Sequence, residues 1–192
     1  MNGLLFIRHA ETDMAGRFCG QSDPPINSRG QQQIRSLIEA IKSEPIEAVY
    51  CSNLQRSVTT AQAIADTFCI PVVTRSNLQE INFGEWEGLN WSEIEQRDPI
   101  YARDWVEAFP HFPAPGGELF ETFQTRVLTE VGSLLQLANE TLFAVVTHAG
   151  VMRIVLQSLN TWTTEDTWNH TKDFCSFFML EPLYVRCANE QQ

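Results

Sequence analysis

Two of the four histidines in this chain stand where short apolar runs end. Arg8-His9 closes the run 4–7, and Thr147-His148-Ala149-Gly150 follows the run 142–146. A third run, 48–51, leads into Ser52, with Arg56 four residues further on. One histidine in such a place is readily explained by packing. Two, each beside a small-residue turn and accompanied by arginines, point to chemistry. Arginine's planar fork pairs with phosphoryl oxygens bidentately and keeps its charge. A neutral imidazole attacks phosphorus in line to form a phosphohistidine. The leaving alkoxide then needs a proton from a carboxylic acid. Backbone N–H groups at helix N-termini, where Arg56 and Gly150 are placed, add donors for an anion. Phosphoryl transfer is mainly positioning and charge neutralisation, so a sufficient set of cations makes a metal optional. No H-x-x-E-H or comparable ligand spacing supports a metallohydrolase, and no metal or other cofactor is expected.

These residues need a scaffold that gathers strand ends. The run 4–7 is apolar throughout and suits a buried strand of a parallel sheet. A polar loop over 13–27 follows. Ser28 then starts a helix with Ile34, Leu37, Ile38 and Ile41 on one face, stopped by Pro45. Residues 48–51 read as a second strand, 57–68 as a helix and 71–73 as a weaker strand. Residues 84–118 differ in character, with Trp86, Trp91 and Trp105, several acids and a turn-rich stretch over 109–117. They read as a partly helical lid inserted over one end of the sheet, or as a surface excursion with its own small core. A helix over 119–137, a very hydrophobic strand over 142–146 and a helix from Val151 to Leu159 complete the alternation. Late strands at 174–180 and 183–185, broken by Pro182, look like a hairpin. The pattern implies a three-layer α/β/α sandwich with a mostly parallel central sheet. In such sheets the ligand crevice lies beyond the carboxyl ends of the strands, where His9, Ser52 and His148 fall. One domain over 1–192, with the insertion at about 84–118, is expected.

Composition narrows the partners. Hydrophobic residues make up 43% and charged residues 19%, enough apolar material for a real core. The net charge of -11 repels nucleic acid and anionic membrane, so neither is expected as a partner. A phosphate pocket must then be a local positive construction inside a negative field. Five cysteines, an odd number without a C-x-x-C pair, argue against a disulfide framework and a structural zinc site. The N-terminal apolar stretch is too short for a signal peptide, and no run approaches the ~18 residues of a membrane span. A cytoplasmic protein acting on a small-molecule phosphate ester is expected; the sequence leaves oligomeric state open.

Five stretches in order resemble signatures of the histidine phosphatase (phosphoglycerate mutase-like) superfamily. Residues 5–12, through Arg8-His9-Ala10-Glu11-Thr12, are similar to its R-H-G-E-T after a hydrophobic strand. Residues 25–30 resemble P-L-x-x-x-G, and 52–61 resemble S-x-x-x-R-A-x-x-T-A. Residues 78–88, through Glu80, Phe83-Gly84 and Trp86-Glu87-Gly88, resemble L-x-E-x-x-F-G-x-W-E-G. Residues 146–151 resemble V-S/T-H-x-G-V. The resemblance implies His9 as nucleophile, with Arg8, Arg56 and His148 holding the phosphoryl group. It implies Glu80 as proton donor to the leaving group and then as the base that activates water. Ala10 departs from the usual Gly. Ala15 stands where many members have an Asn that donates to phosphate, and Gln21 or a backbone N–H is a candidate replacement. The Glu80 motif matches the phosphatase branch rather than the mutases. The chain length, the Trp105 segment and Pro115-Gly116-Gly117-Glu118 resemble most the α-ribazole phosphatase family, whose members remove the 5′-phosphate of α-ribazole in cobalamin nucleotide-loop assembly. Gln21, Trp86 and Trp105 are the candidate substrate-pocket residues, with the tryptophans as stacking surfaces for a flat base or, equally, as lid core. The alternatives are a broad phosphomonoesterase, a mutase-type phosphotransferase and a non-catalytic phospho-ligand binding module.

Overall fold

The computed structural model describes residues 2–159 and 162–181. Five strands form one sheet in the order β3-β2-β4-β1-β5. These are β1 (Gly3–Arg8), β2 (Ile46–Cys51), β3 (Val72–Thr74), β4 (Leu142–Thr147) and β5 (Phe177–Leu180). The first four are mutually parallel, and β5 joins the edge antiparallel to β1. The expected strand at 183–185 lies outside the described residues.

Side-chain alternation along the strands builds the three layers. Leu4 and Phe6 of β1 and Val145 of β4 face α5 (Phe120–Leu137) and α6 (Ala149–Leu159), whose Phe123, Val127, Val131, Met152 and Val155 close that core. Leu5 and Ile7, with Ala144 and Val146, face the other way, onto α1 (Ser28–Ile41) and α2 (Gln55–Phe68). Both faces of β1 and β4 are therefore apolar, which is why their sequences read as continuous hydrophobic runs. The three-layer α/β/α architecture agrees with the sequence reading. The first helix is capped by Asn27, whose side chain accepts from the Gly30 amide. One element escaped the sequence reading: α7 (Thr164–Thr171), capped by Thr163, whose hydroxyl accepts from the Asp166 amide. Thr163-x-x-Asp166 is a start signal of the capping kind.

Residues 84–118 contain α3 (Trp91–Arg97) and α4 (Pro99–Ala108). Asn90 and Glu93 form a reciprocal capping box for the first, and Asp98 caps the second with Pro99 in its first turn. The insertion has its own core of Trp86, Ile94, Ala102 and Ala114, ringed by Phe83, Trp91, Tyr101 and Trp105. Phe18, from the loop after β1, plugs into that core, edge-on to Phe83, Trp86 and Trp105 with centroids 4.9, 5.7 and 6.0 Å away. Trp86 is only 3% exposed, so it serves as core and not as pocket wall, a correction to its reading as a stacking surface. Truncating it opens a cavity the size of an indole. Trp86→Ala is expected to lower stability by about 3–5 kcal/mol in urea unfolding, and a change below about 1 kcal/mol would contradict the packing described.

Candidate active site

Parallel pairing of β1 with β4 sets Arg8 opposite Thr147, so His9 and His148 emerge side by side at the carboxyl ends of adjacent strands. The His9 amide donates to the Thr147 carbonyl at 2.9 Å, and the two imidazole centroids are 5.0 Å apart. Nδ1 of His9 lies 2.7 Å from the carbonyl oxygen of Ala10. A carbonyl can only accept, so Nδ1 carries the proton and Nε2 keeps its lone pair. That lone pair receives Nε–H of Arg56 at 3.2 Å. Burial, then the charges of Arg56 and Arg8, hold His9 well below the usual histidine range. The site thus presents a neutral, tautomer-fixed imidazole nitrogen. Burial and Arg56 depress His148 in the same way.

Among the described residues, Arg8 and Arg56 are held without carboxylate partners. Arg56, in the first turn of α2, is fully buried. Its other nitrogens donate to the carbonyls of Ser22 (2.6 Å), Gly20 (2.6 Å) and Cys19 (3.3 Å). Asp23 of the same loop caps α2 through the Gln55 amide at 2.6 Å. Arg8 donates to the carbonyls of Thr171 (3.1 Å) and Lys172 at the end of α7 and lies over the Phe174 ring, 4.0 Å from its centroid. Burial pulls Arg8 down to about 10, which leaves it charged at neutral pH. Among the described residues, Nε of Arg8 and Nδ1 of His148 are buried with no protein partner. Buried polar atoms of this kind ask for a ligand, and a phosphoryl oxygen suits both.

Glu80 lies in the segment after β3 and is almost fully buried. Its Oε2 accepts the Gly150 amide at 2.9 Å, at the N-terminus of α6, and its Oε1 accepts the Ile81 amide at 3.0 Å. The Gly150 N–H was expected to face an anion; it serves the carboxylate instead. Any Cβ on Gly150 would overlap Oε1 of Glu80, so only glycine permits this approach. The segment is clamped from α5. Arg126 pairs bidentately with Glu118 at 2.7 and 2.8 Å and donates to the carbonyls of Asn77, Gln79 and Glu80. Sequence reasoning missed Arg126. The available signal was a lone arginine beside the inward stripe Phe123, Val127, Val131 and Leu134.

The structure places His9, Arg8, Arg56, His148 and Glu80 near one another. Gln21 lies in the loop that Arg56 grips, its amide donating to Glu87 at 2.9 Å. Trp105 is half-buried against Trp86 and Phe109, at 5.3 and 5.0 Å. Ala15 is exposed in a turn, its amide donating to the Thr12 carbonyl. Phe174, under Arg8 and 5.6 Å from His9, was not anticipated. Burial pushes the Cys51 and Cys175 thiols up to about 12, so neither competes as a nucleophile. Among the described residues, no cluster of three or more His, Cys, Asp or Glu side chains is placed to hold a metal ion, and no helix is long and apolar enough to cross a membrane.

A family model described as the histidine phosphatase superfamily (branch 1) matches residues 4–187. The adenosylcobalamin/α-ribazole phosphatase of Escherichia coli is 28% identical over 172 residues, covering 88% of this chain and 85% of that one. Phosphoserine phosphatase 1 of Hydrogenobacter thermophilus is 27% identical over 179 residues, covering 92% and 85%. The crystal structure of α-ribazole phosphatase from Shigella flexneri superposes with a TM-score of 0.79 at 26% identity, covering 93% of this chain and 95% of that one.

Two outcomes follow from the geometry. Gly150→Ala displaces the Glu80 carboxylate and should reduce kcat about 100-fold while the fold survives; unchanged turnover would remove this contact from the site. His9 and His148 should show neutral ring resonances in NMR down through pH 6.5, the ordinary histidine value. Their folded values lie below that of the unfolded chain, which therefore takes up protons first. The two histidines thus subtract stability as pH falls through about 6.5 and leave it untouched well above.

Proposed function

The chain belongs to the histidine phosphatase superfamily (branch 1) and is a phosphomonoester hydrolase, and from that we propose that it works through a phosphohistidine at His9 with α-ribazole 5′-phosphate as its substrate. The observation that carries the mechanism is the 2.7 Å approach of His9 Nδ1 to the Ala10 carbonyl, which assigns the proton to Nδ1 and leaves Nε2 free to act as the nucleophile. In the first half-reaction Nε2 forms a bond to phosphorus as the P–O bond to the leaving group breaks, and the carboxyl of Glu80 protonates the departing oxygen. In the second, Glu80 takes a proton from water, the water oxygen bonds to phosphorus, and the P–N bond returns its electron pair to His9. Arg8, Arg56 and His148 neutralise the phosphoryl oxygens in both.

The substrate reading rests on the α-ribazole phosphatases among the relatives and on the matching span of the chains. It does not rest on the insertion's aromatic rings, because these pack chiefly on one another. Nearly equal identity to a phosphoserine phosphatase favours a broader phosphomonoesterase as the second reading.

Phosphate release from α-ribazole 5′-phosphate, phosphoserine and 3-phosphoglycerate, measured in EDTA with His9→Ala as control, tests both levels. Strong preference for the ribazole ester, lost in the variant, is the expected result. Similar rates on all three, still dependent on His9, would keep the chemistry and discard the substrate. Glu80→Gln should slow esters with poor leaving groups far more than activated aryl phosphates; equal slowing would take Glu80 out of the acid role.

A further inference from the structure

Glu87 belongs to the Trp86-Glu87-Gly88 motif, yet no step of phosphoryl transfer uses it. Its carboxylate is half-buried and collects five donors. Oε1 accepts the amides of Gln21 (2.9 Å) and Phe83 (3.1 Å). Oε2 accepts the amides of Gly20 and Ser22, both at 3.1 Å, and the Ser22 hydroxyl at 2.7 Å. Burial pushes the Glu87 carboxyl up, but the bonds from Ser22, Gln21 and Phe83 outweigh it and leave the group below its ordinary range. The loop 19–22 thus turns its N–H groups to one ion and its carbonyls, those of Cys19, Gly20 and Ser22, to the guanidinium of Arg56. A short stretch of peptide is held between a carboxylate and an arginine. Gly20 is what lets the two approach, since a Cβ there would run into the Glu87 carboxylate and the Ile81 carbonyl.

We propose that Glu87 is a positioning residue for the nucleophile: by fixing the amides of residues 20–22 it fixes the carbonyls that orient Arg56, and so aims Nε–H of Arg56 at Nε2 of His9. Two of the three guanidinium nitrogens are committed to loop carbonyls, so the direction of the third follows from where those carbonyls stand. The loop has other anchors: the Phe18 amide donates to the Leu89 carbonyl at 2.8 Å, and Asp23 holds α2. Removing the Glu87 charge therefore loosens the middle of the loop without releasing its ends.

The inference rests on His9 being the nucleophile, so the test reads the two separately. Glu87→Gln keeps the size of the side chain but leaves one acceptor oxygen for five donors. With p-nitrophenyl phosphate, kcat should fall about 10- to 100-fold, and the inhibition constant for inorganic phosphate should rise about tenfold because Arg56 is no longer preset. The nitrogen resonance of His9 Nε2 in the substrate-free variant should move toward that of an imidazole without a donor. Glu87→Asp, which retains the charge, should recover part of each effect. A folded Glu87→Gln with wild-type phosphate inhibition and an unmoved Nε2 resonance would overturn the proposal, whatever its kcat. If Glu87→Gln does not fold, Ser22→Ala, which removes only the hydroxyl bond to Oε2, decides by the same readouts. Wild-type activity that survives His9→Ala would instead defeat the functional reading, and the Nε2 resonance would still report on the link from Glu87.

Discussion

A neutral imidazole must persist beside a buried guanidinium, that of Arg56, and a half-buried one, that of Arg8, and much of the molecule is arranged around that requirement. Arginines at such depth are ordinarily paired with carboxylates, because an isolated buried charge is costly. Here the described residues give Arg8 and Arg56 carbonyl partners instead. Carbonyl dipoles offset the desolvation while leaving the full positive charge in place. That charge does two things at once. It disfavours a proton on His9 and His148, and it makes an attractive spot for a phosphate dianion within a chain whose net charge is -11. A carboxylate beside either arginine would cancel both effects. Glu80, whose charge is felt at Arg8, pairs directly with neither arginine among the described residues and accepts the amides of Gly150 and Ile81 instead.

The sheet supplies the rest by register alone. β1 and β4 are neighbours, so two residues far apart in sequence meet once Arg8 pairs with Thr147. Helices on both faces make the strand interiors dry and rigid, and the reactive residues begin where the apolar run stops. The supports are built differently from the reacting groups. Arg126 with Glu118 grips the segment before Glu80, and the end of α7 grips Arg8. Each clamp joins side chains to backbone carbonyls of a loop. Placement of the reacting groups therefore depends on backbone geometry that has few side-chain markers of its own.

This division explains what was legible in the sequence. Strands, main helices, and Arg8, His9, Arg56 and His148 could be read because burial on both faces writes continuous apolar runs and because chemistry demands particular residue types near their ends; Glu80 ends no strand and was legible only through the family resemblance. α7 was missed because only two of its residues, Thr167 and Thr171, are buried, so it has almost no apolar stripe. Trp86 was left between two readings because an aromatic residue facing a pocket and one facing a small core look alike without coordinates. Arg126 was missed because its carbonyl partners carry no sequence signal, and Phe174 because its value lies in being under Arg8.

The bond from Arg8 to the Thr171 carbonyl spans 163 residues. His9 follows β1, while the carbonyls that restrain its neighbouring arginine come from the end of α7, with most of the sheet and helices between them in sequence. His148 and the Gly150 amide are also late. Without residues 141–181, α1, α2 and the insertion would remain, but His9 would lack its His148 neighbour, Arg8 its carbonyl brace, and β1 both strands that flank it in the sheet. A phosphate ester that binds only once β1 has both of its flanking strands would stabilise the assembled sheet over any partial one.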